Sequence, residues 1–418
     1  MKGNRLASRS IGATLLRVLR NSLIGALLFG GSTAAIAAQP DNLYVFYFGE
    51  YATGLEPQSG LTLGSDGNFY GTTWVGGANW GTVYRITPAG TITLLHAFDS
   101  TNGDGPIAPL VQTANGKLWG TTQFGGNPNC IYGCGVIFKM NTDGSGYKVV
   151  HFFTGKDGET PRGIILASDG KLYGVTATDS NSGQGTIFVL DPASGALRTL
   201  YQFRRPIGSN PYMLIEGSDG NLYGTTLYGS PKDAGILFRM TKTGVLTTLH
   251  RFGGSSGTGP TGIIQAQDGS FYGTTFAGGT GSCTVNSFPG CGTVFKYDSS
   301  GQLSMLYSFS GADGAAPYHG LIQASDGLLY GATEGGGQYQ DDLCEIGAQG
   351  CGTVFKLTLA GKLTTLASFN INLSGEGPQG VIEGLDGALY GATESGGLPP
   401  PESGYTFGAG TVFHVTRP

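Results

Sequence analysis

Six cysteines fall into three close pairs, Cys130/Cys134, Cys283/Cys291 and Cys344/Cys351, each at the same place in a recurring motif. Such pairs either close local disulfides or hold a metal. No histidine stands beside any pair and the spacings differ, so zinc is the weaker competitor and three loop disulfides are expected. The segments around the cysteines carry aromatic and hydrogen-bonding side chains. Trp74, Asn79 and Trp80 share the first, Phe124 and Tyr132 the second, and Tyr228 the fourth. Tyr339, Asp341 and Asp342 share the sixth, and Tyr405 lies in the seventh. Flat apolar faces beside amides and carboxylates suit recognition of a sugar or a peptide. Loops of any secreted protein hold such residues, so plain solvent exposure is the competing account.

The elements that position these loops repeat seven times. The clearest copy runs from an apolar segment through Asp326-Gly-Leu-Leu-Tyr-Gly-Ala-Thr333, then Gly352-Thr-Val-Phe355, then a run ending at Phe369. Asp-Gly between short apolar runs marks a hairpin, and the β-branched and aromatic Gly-Thr-Val-Phe run reads as a strand. Four strands per unit at a period near fifty residues predict an all-β chain: a seven-bladed β-propeller of four-stranded antiparallel blades. The repeats lie near 55–98, 105–153, 161–203, 211–252, 260–309, 317–369 and 378–416. The last repeat lacks its fourth strand, and residues 42–48 match it. An N-terminal strand closing the last blade leaves no open sheet edge, whereas an open solenoid would want polar caps at both ends.

Aromatic residues that recur in every repeat, Tyr70 to Tyr390 and Tyr84 to Phe413, are expected in the core rather than in a site. One inner-strand position varies between leucine and a polar residue. Gln112, Glu216, Gln265, Gln323 and Glu383 hold it, either as hydrogen-bonding groups between blades or as a polar channel ring for a cation such as calcium. No catalytic residue is assigned. No His-Glu-x-x-His pattern and no strand-to-helix nucleophile elbow appears, and His96, His151 and His250 repeat one outer-strand position. No cofactor is expected, calcium in the channel excepted.

Residues 1–38 read as a secretory signal: five basic residues, an apolar stretch at 23–29, then Ala35-Ile-Ala37. An uncleaved anchor is the alternative, but the apolar stretch is short and breaks at Gly30-Gly31. Residues 39–418 then form one propeller domain. Removing the five basic residues takes the net charge from −5 to −10, with 18 Lys+Arg against 28 Asp+Glu. That acidity argues against nucleic acid as partner. No later segment is long and apolar enough to span a membrane.

The combined motif Asp-Gly-x-Leu-Tyr-Gly-x-Thr followed by Gly-Thr-Val-Phe-Lys resembles the GloVer (Gloeobacter/Verrucomicrobia-type) tandem repeat of bacterial exported proteins, over nearly all of residues 42–418. The resemblance implies an exported propeller of undefined activity and brings no catalytic residues with it. Members often carry a variable C-terminal anchor. This chain, ending at Pro418 just after its last strand, is expected to have none. The expectation is a monomeric, exported, periplasmic or extracellular binding or scaffold module, contacting carbohydrate or protein through its stapled loops. The alternative is a lactonase-like hydrolase or lyase with a metal in the channel.

Overall fold

The computed structural model describes residues 37–230, 232–339, 344 and 350–417. The signal segment expected at 1–38 falls almost wholly outside them. Seven antiparallel blades follow one another along the chain, six with their strands in sequential order and the seventh completed by a strand from residues 41–45. The fourth blade shows the pattern: Ser209–Glu216, Leu222–Tyr228, Ile236–Met240 and Leu246–Arg251. First strands of successive blades touch one another, so they line the axis and the fourth strands lie outside. In blades three to five the first strand is continuous over eight residues, as in Thr258–Gln265. In the first blade it shrinks to Thr62–Leu63, because one extra residue follows the proline that opens it.

Each motif residue has a structural cause. In the Asp-Gly turn only the glycine takes a left-handed backbone, with Gly220 at φ 75°. The aspartate keeps ordinary geometry and accepts the tyrosine hydroxyl four residues on, as in Asp268–Tyr272 at 2.8 Å. Six blades make this bond. In the second blade, Asn115 stands where Trp119 replaces the tyrosine. The threonines before and after the variable loop share a buried hydroxyl contact, 2.9 Å between Thr333 and Thr353. The glycine that opens the third strand has no substitute. Gly185 sits at φ 91°, and a Cβ there would lie 2.2 Å from the Thr176 carbonyl oxygen.

The core is a ring of aromatic contacts between blades. The phenylalanine ending each fourth strand stands edge-on to the third-strand aromatic of the next blade: Phe98–Phe138 at 5.3 Å and Phe309–Phe355 at 5.2 Å. Each such pair adds about 0.5–1.5 kcal/mol beyond the area it buries. The ring closes as expected, with one adjustment. The closing strand is Asp41–Val45, shorter than the 42–48 segment, and pairs antiparallel with Thr411–Val415. Phe46 follows it, fully buried, donating its backbone N–H to Gly410 and packing on Tyr84 of the first blade at 5.4 Å. It is the seventh member of the phenylalanine ring. Among the described residues no helix is long and apolar enough to cross a membrane.

Candidate functional site at the loop-face mouth

The Asp-Gly turns gather at one end of the axis. There the polar inner-strand residues work between blades. The backbone N–H of Ser65 donates to Gln112, that of Ser218 to Gln265 and that of Gln267 to Gln323, at 2.7–2.8 Å. Ser168 donates to Glu216 and Ser325 to Glu383. Lys242 pairs with Glu216, and Arg417 pairs with Glu383. A concavity of about 570 Å³ opens here beside Gln265 and Gln323, but the oxygens of this ring are already committed to neighbouring blades.

The opposite end receives the long loops. Every first strand opens there on a proline, and the residue before each proline has a positive φ, from 52° at Thr160 to 64° at Gly377. The positions after the prolines hold Gln58, Ile107, Arg162, Tyr212, Thr261, Tyr318 and Gln379. A second set comes from the residue after the buried threonine that ends each second strand: Trp74, Gln123, Ala177, Leu227, Phe276, Glu334 and Glu394. Both sets vary widely from blade to blade, unlike the turn aspartates, the tyrosines and the paired threonines.

Two kinds of group meet at this mouth. On one side are carboxylates. Glu394 accepts a hydrogen bond from the Gln58 amide at 2.8 Å. Burial, helped by the charges of Glu334, Glu56 and Glu376, pushes its carboxyl up to about 7. Burial raises Glu56 as well, and raises Asp104 to about 6. Glu334 pairs with His319, Nε2 to Oε1 at 2.9 Å. On the other side stand Arg162, Tyr212, Tyr228 and Tyr318. The Arg162 guanidinium lies 4.8 Å from the Tyr212 ring centre, and burial lowers its pKa. Tyr318 stacks on Phe276 with centroids 5.1 Å apart. Its hydroxyl bonds Asn286, which sits inside the loop closed by Cys283–Cys291. That disulfide therefore holds a group that orients a wall of the mouth.

All three cysteine pairs are disulfides: Cys130–Cys134, Cys283–Cys291 and Cys344–Cys351. Each pair lies between the second and third strands of its blade, as expected, and Cys134, Cys291 and Cys351 are fully buried there. Cys351 belongs to the hydrophobic core with Phe369 and Ile371, and its carbonyl accepts the Gly377 N–H at 3.1 Å. The cause is its position next to Gly352, where the chain enters the third strand and is already packed between blades. Each staple therefore ties a half-buried loop cysteine to a fixed anchor in the core, and Cys351 itself is no part of a contact surface.

The sequence-expected contact residues separate. Trp74 and Tyr228 belong to the mouth. From Trp74 an aromatic strip runs outward through Phe124, at 6.0 Å, to Tyr132, at 6.3 Å from Phe124. Asn79 accepts the Tyr51 hydroxyl. Tyr405 packs on Tyr47 at the rim of the seventh blade, 5.7 Å between centroids. Trp80, Tyr405 and Tyr132 are 38%, 43% and 67% exposed. Tyr339 is half-buried, while Asp341 and Asp342 lie outside the described residues.

Sequence reasoning missed Arg162, Tyr212, Tyr318, His319, Glu334 and Glu394. The signal was present in the residue after the repeated proline and the residue after the repeated threonine, found by asking which position varies. The sequence reading finds no Gly-x-Ser-x-Gly elbow; residues 253–257 do spell that pattern, but they form a 3-10 turn after an outer strand and lead into the strand Thr258–Gln265. Ser256 there lies 3.5 Å from His250, just as Asp157 lies 2.8 Å from His151. The contact is a repeating outer-edge brace.

The sequence profile of the Gloeobacter/Verrucomicrobia repeat matches residues 31–212, 129–288 and 281–418. Among curated proteins no sequence matches this chain. Solved structures share the fold. A streptogramin B lyase is 16% identical with TM-score 0.57, over 89% of this chain and 96% of that one. An oligogalacturonate lyase in complex with manganese is 12% identical with TM-score 0.54, over 94% and 97%. The extracellular domain of the hybrid two-component system BT3049 from B. thetaiotaomicron is 12% identical with TM-score 0.54, over 89% and 42%. At these identities the likeness is one of fold.

Proposed function

The chain belongs to the Gloeobacter/Verrucomicrobia repeat family, and on its seven-bladed scaffold we propose an exported ligand-binding protein whose ligand seats in the loop-face mouth. One observation carries this reading: the two varying positions meet there, with Gln58 bonded to Glu394, Glu394 near Glu334, and Glu334 near Tyr212 and Tyr318, the rings that also neighbour Arg162. Packing alone asks for the same residue in each blade. Variation at the axis, on rigid strands and under stapled loops, is what recognition asks for. The mouth offers stacked rings, amides and carboxylates, the groups that bind a sugar residue or a short polar segment of a protein. Disulfides accord with an oxidising compartment outside the cytoplasm.

A glycan-array screen of residues 39–418, with and without calcium, tests this. Binding abolished by Tyr318→Ala and by Glu334→Gln supports the mouth. Binding abolished by Tyr132→Ala or Tyr405→Ala instead moves the site to the rim. A signal present only with calcium assigns a cation to the carboxylates.

A second reading has its own support. Glu394 holds a proton near neutral pH close to the charge of Glu334, and carboxyls of unequal affinity for a proton can divide acid and base roles. A streptogramin B lyase and an oligogalacturonate lyase share this fold, but catalysis here rests on Glu394. Turnover of a bound glycan, abolished by Glu394→Gln with binding retained, is its test.

A further inference from the structure

Arg162 stands apart from the other cations that contact neighbouring blades. Lys242 and Arg417 are paired with carboxylates of the turn face. Arg162 has no ion-pair partner among the described residues, and its Nε is shut off from solvent without a hydrogen bond. Its surroundings act on it only through aromatic rings: Tyr212 beneath the guanidinium, with Tyr228 and Tyr318 nearby. A half-buried guanidinium whose Nε is shut off from solvent and unfilled is costly unless something completes it. Among the described carboxylates, those of Glu394, Glu334, Glu56 and Glu376 at this mouth included, none forms an ion pair with it.

We propose that Arg162 is the receptor for a carboxylate on the ligand, so that the mouth selects a hydroxylated ring acid, such as a uronic sugar, over its neutral counterpart. The assignment rests on the mouth being the binding site. Its fork geometry suits a carboxylate held by two parallel hydrogen bonds. The tyrosine rings form an apolar collar for a sugar face, and the Gln58 amide and Glu334 carboxylate can bond hydroxyls across the mouth. A phosphate dianion carries more negative charge into the field of the carboxylates Glu334, Glu56 and Glu376, and is the poorer fit.

The probes are glucuronate and glucose, which differ only in a carboxylate against a hydroxymethyl group, with glucose 6-phosphate as a third arm, titrated calorimetrically against the exported chain. Glucuronate should bind at least tenfold more tightly than glucose. Arg162→Gln should remove that difference, and Arg162→Lys should restore part of it. Arg162→Met should melt at a temperature equal to or above that of the wild type, since an uncompensated half-buried charge is gone. Equal binding of the two sugars, with both abolished by Tyr318→Ala, keeps the mouth and overturns the carboxylate assignment. Glucuronate preference that survives Arg162→Gln overturns it too, as does a phosphate that binds best. A large loss of melting temperature in Arg162→Met shows a structural arginine instead, and absence of glucuronate binding at tens of millimolar rejects the proposal outright.

Discussion

The two ends of the axis are built by the same seven strands and differ in one respect. At the turn face a given position does the same job in blade after blade. Asp268 accepts the Tyr272 hydroxyl as Asp326 accepts that of Tyr330, and Gln265 bridges to Ser218 as Gln323 bridges to Gln267. At the loop face, the residue after the proline is an amide, an aliphatic, a guanidinium, a phenol or a hydroxyl. In a repeat protein, recurrence marks what neighbouring blades need from each other, and departure marks what the blades jointly present. Turn-face variants should therefore act on stability, and mouth variants on binding.

The largest effect is expected where the ring closes. Phe46→Ala leaves a cavity against Tyr84 and unties the closing strand. It should cost about 3–5 kcal/mol, read as a lower denaturation midpoint of the whole molecule. A local change confined to the seventh blade would show that the blades do not melt together.

Next comes pH. The folded protein keeps the Glu394 proton up to about 7, whereas the free carboxyl releases it near 4.5. Between those values the folded state binds more protons than the unfolded chain, so stability falls as pH rises through the window and levels off above it. The slope amounts to on the order of 1–3 kcal/mol. Glu394→Gln should flatten it, and an unchanged denaturation profile against pH would place the proton elsewhere.

Replacing Cys283 and Cys291 by serine opens a short loop and should cost about 2–3 kcal/mol, and freeing Asn286 from Tyr318 should weaken binding several-fold. Intact mass should meanwhile show three disulfides, six hydrogens below the reduced chain. Tyr272→Phe removes one hydrogen bond to Asp268 at the turn face. It should lower stability by about 1 kcal/mol and leave any ligand affinity alone, whereas Glu334→Gln should do the reverse. If Tyr272→Phe weakens binding, the two ends are coupled and their separation fails.

Much of this was legible in the chain. The six Asp-Gly turns and one Asn-Gly turn, the Gly-Thr-Val-Phe strands and the missing last strand specify blades, their number and their closure. The cysteine pairs specify their own bonds, because partners so close in sequence have no rival. Their depth was less plain: Cys351 reads as a loop residue and is core, since burial there comes from the neighbouring blade. The loop aromatics were visible too, yet only Trp74 and Tyr228 reach the mouth, since a loop residue's sequence says nothing about which way its loop folds. His319 looked like one of five uninformative histidines until Glu334, fifteen residues on, appeared beside it.

Local chemistry settles strand, turn and staple, because those depend on residues a few positions apart and on the backbone angles that glycine and proline permit. Seven copies of one local solution then leave little choice of architecture. Which side chains share the axis depends instead on residues from blades 50 to more than 300 positions apart, such as Gln58 and Glu394. Only closure of the ring brings those together, and only there does Arg162 stand among the rings of Tyr212, Tyr228 and Tyr318 with no ion-pair partner among the described residues.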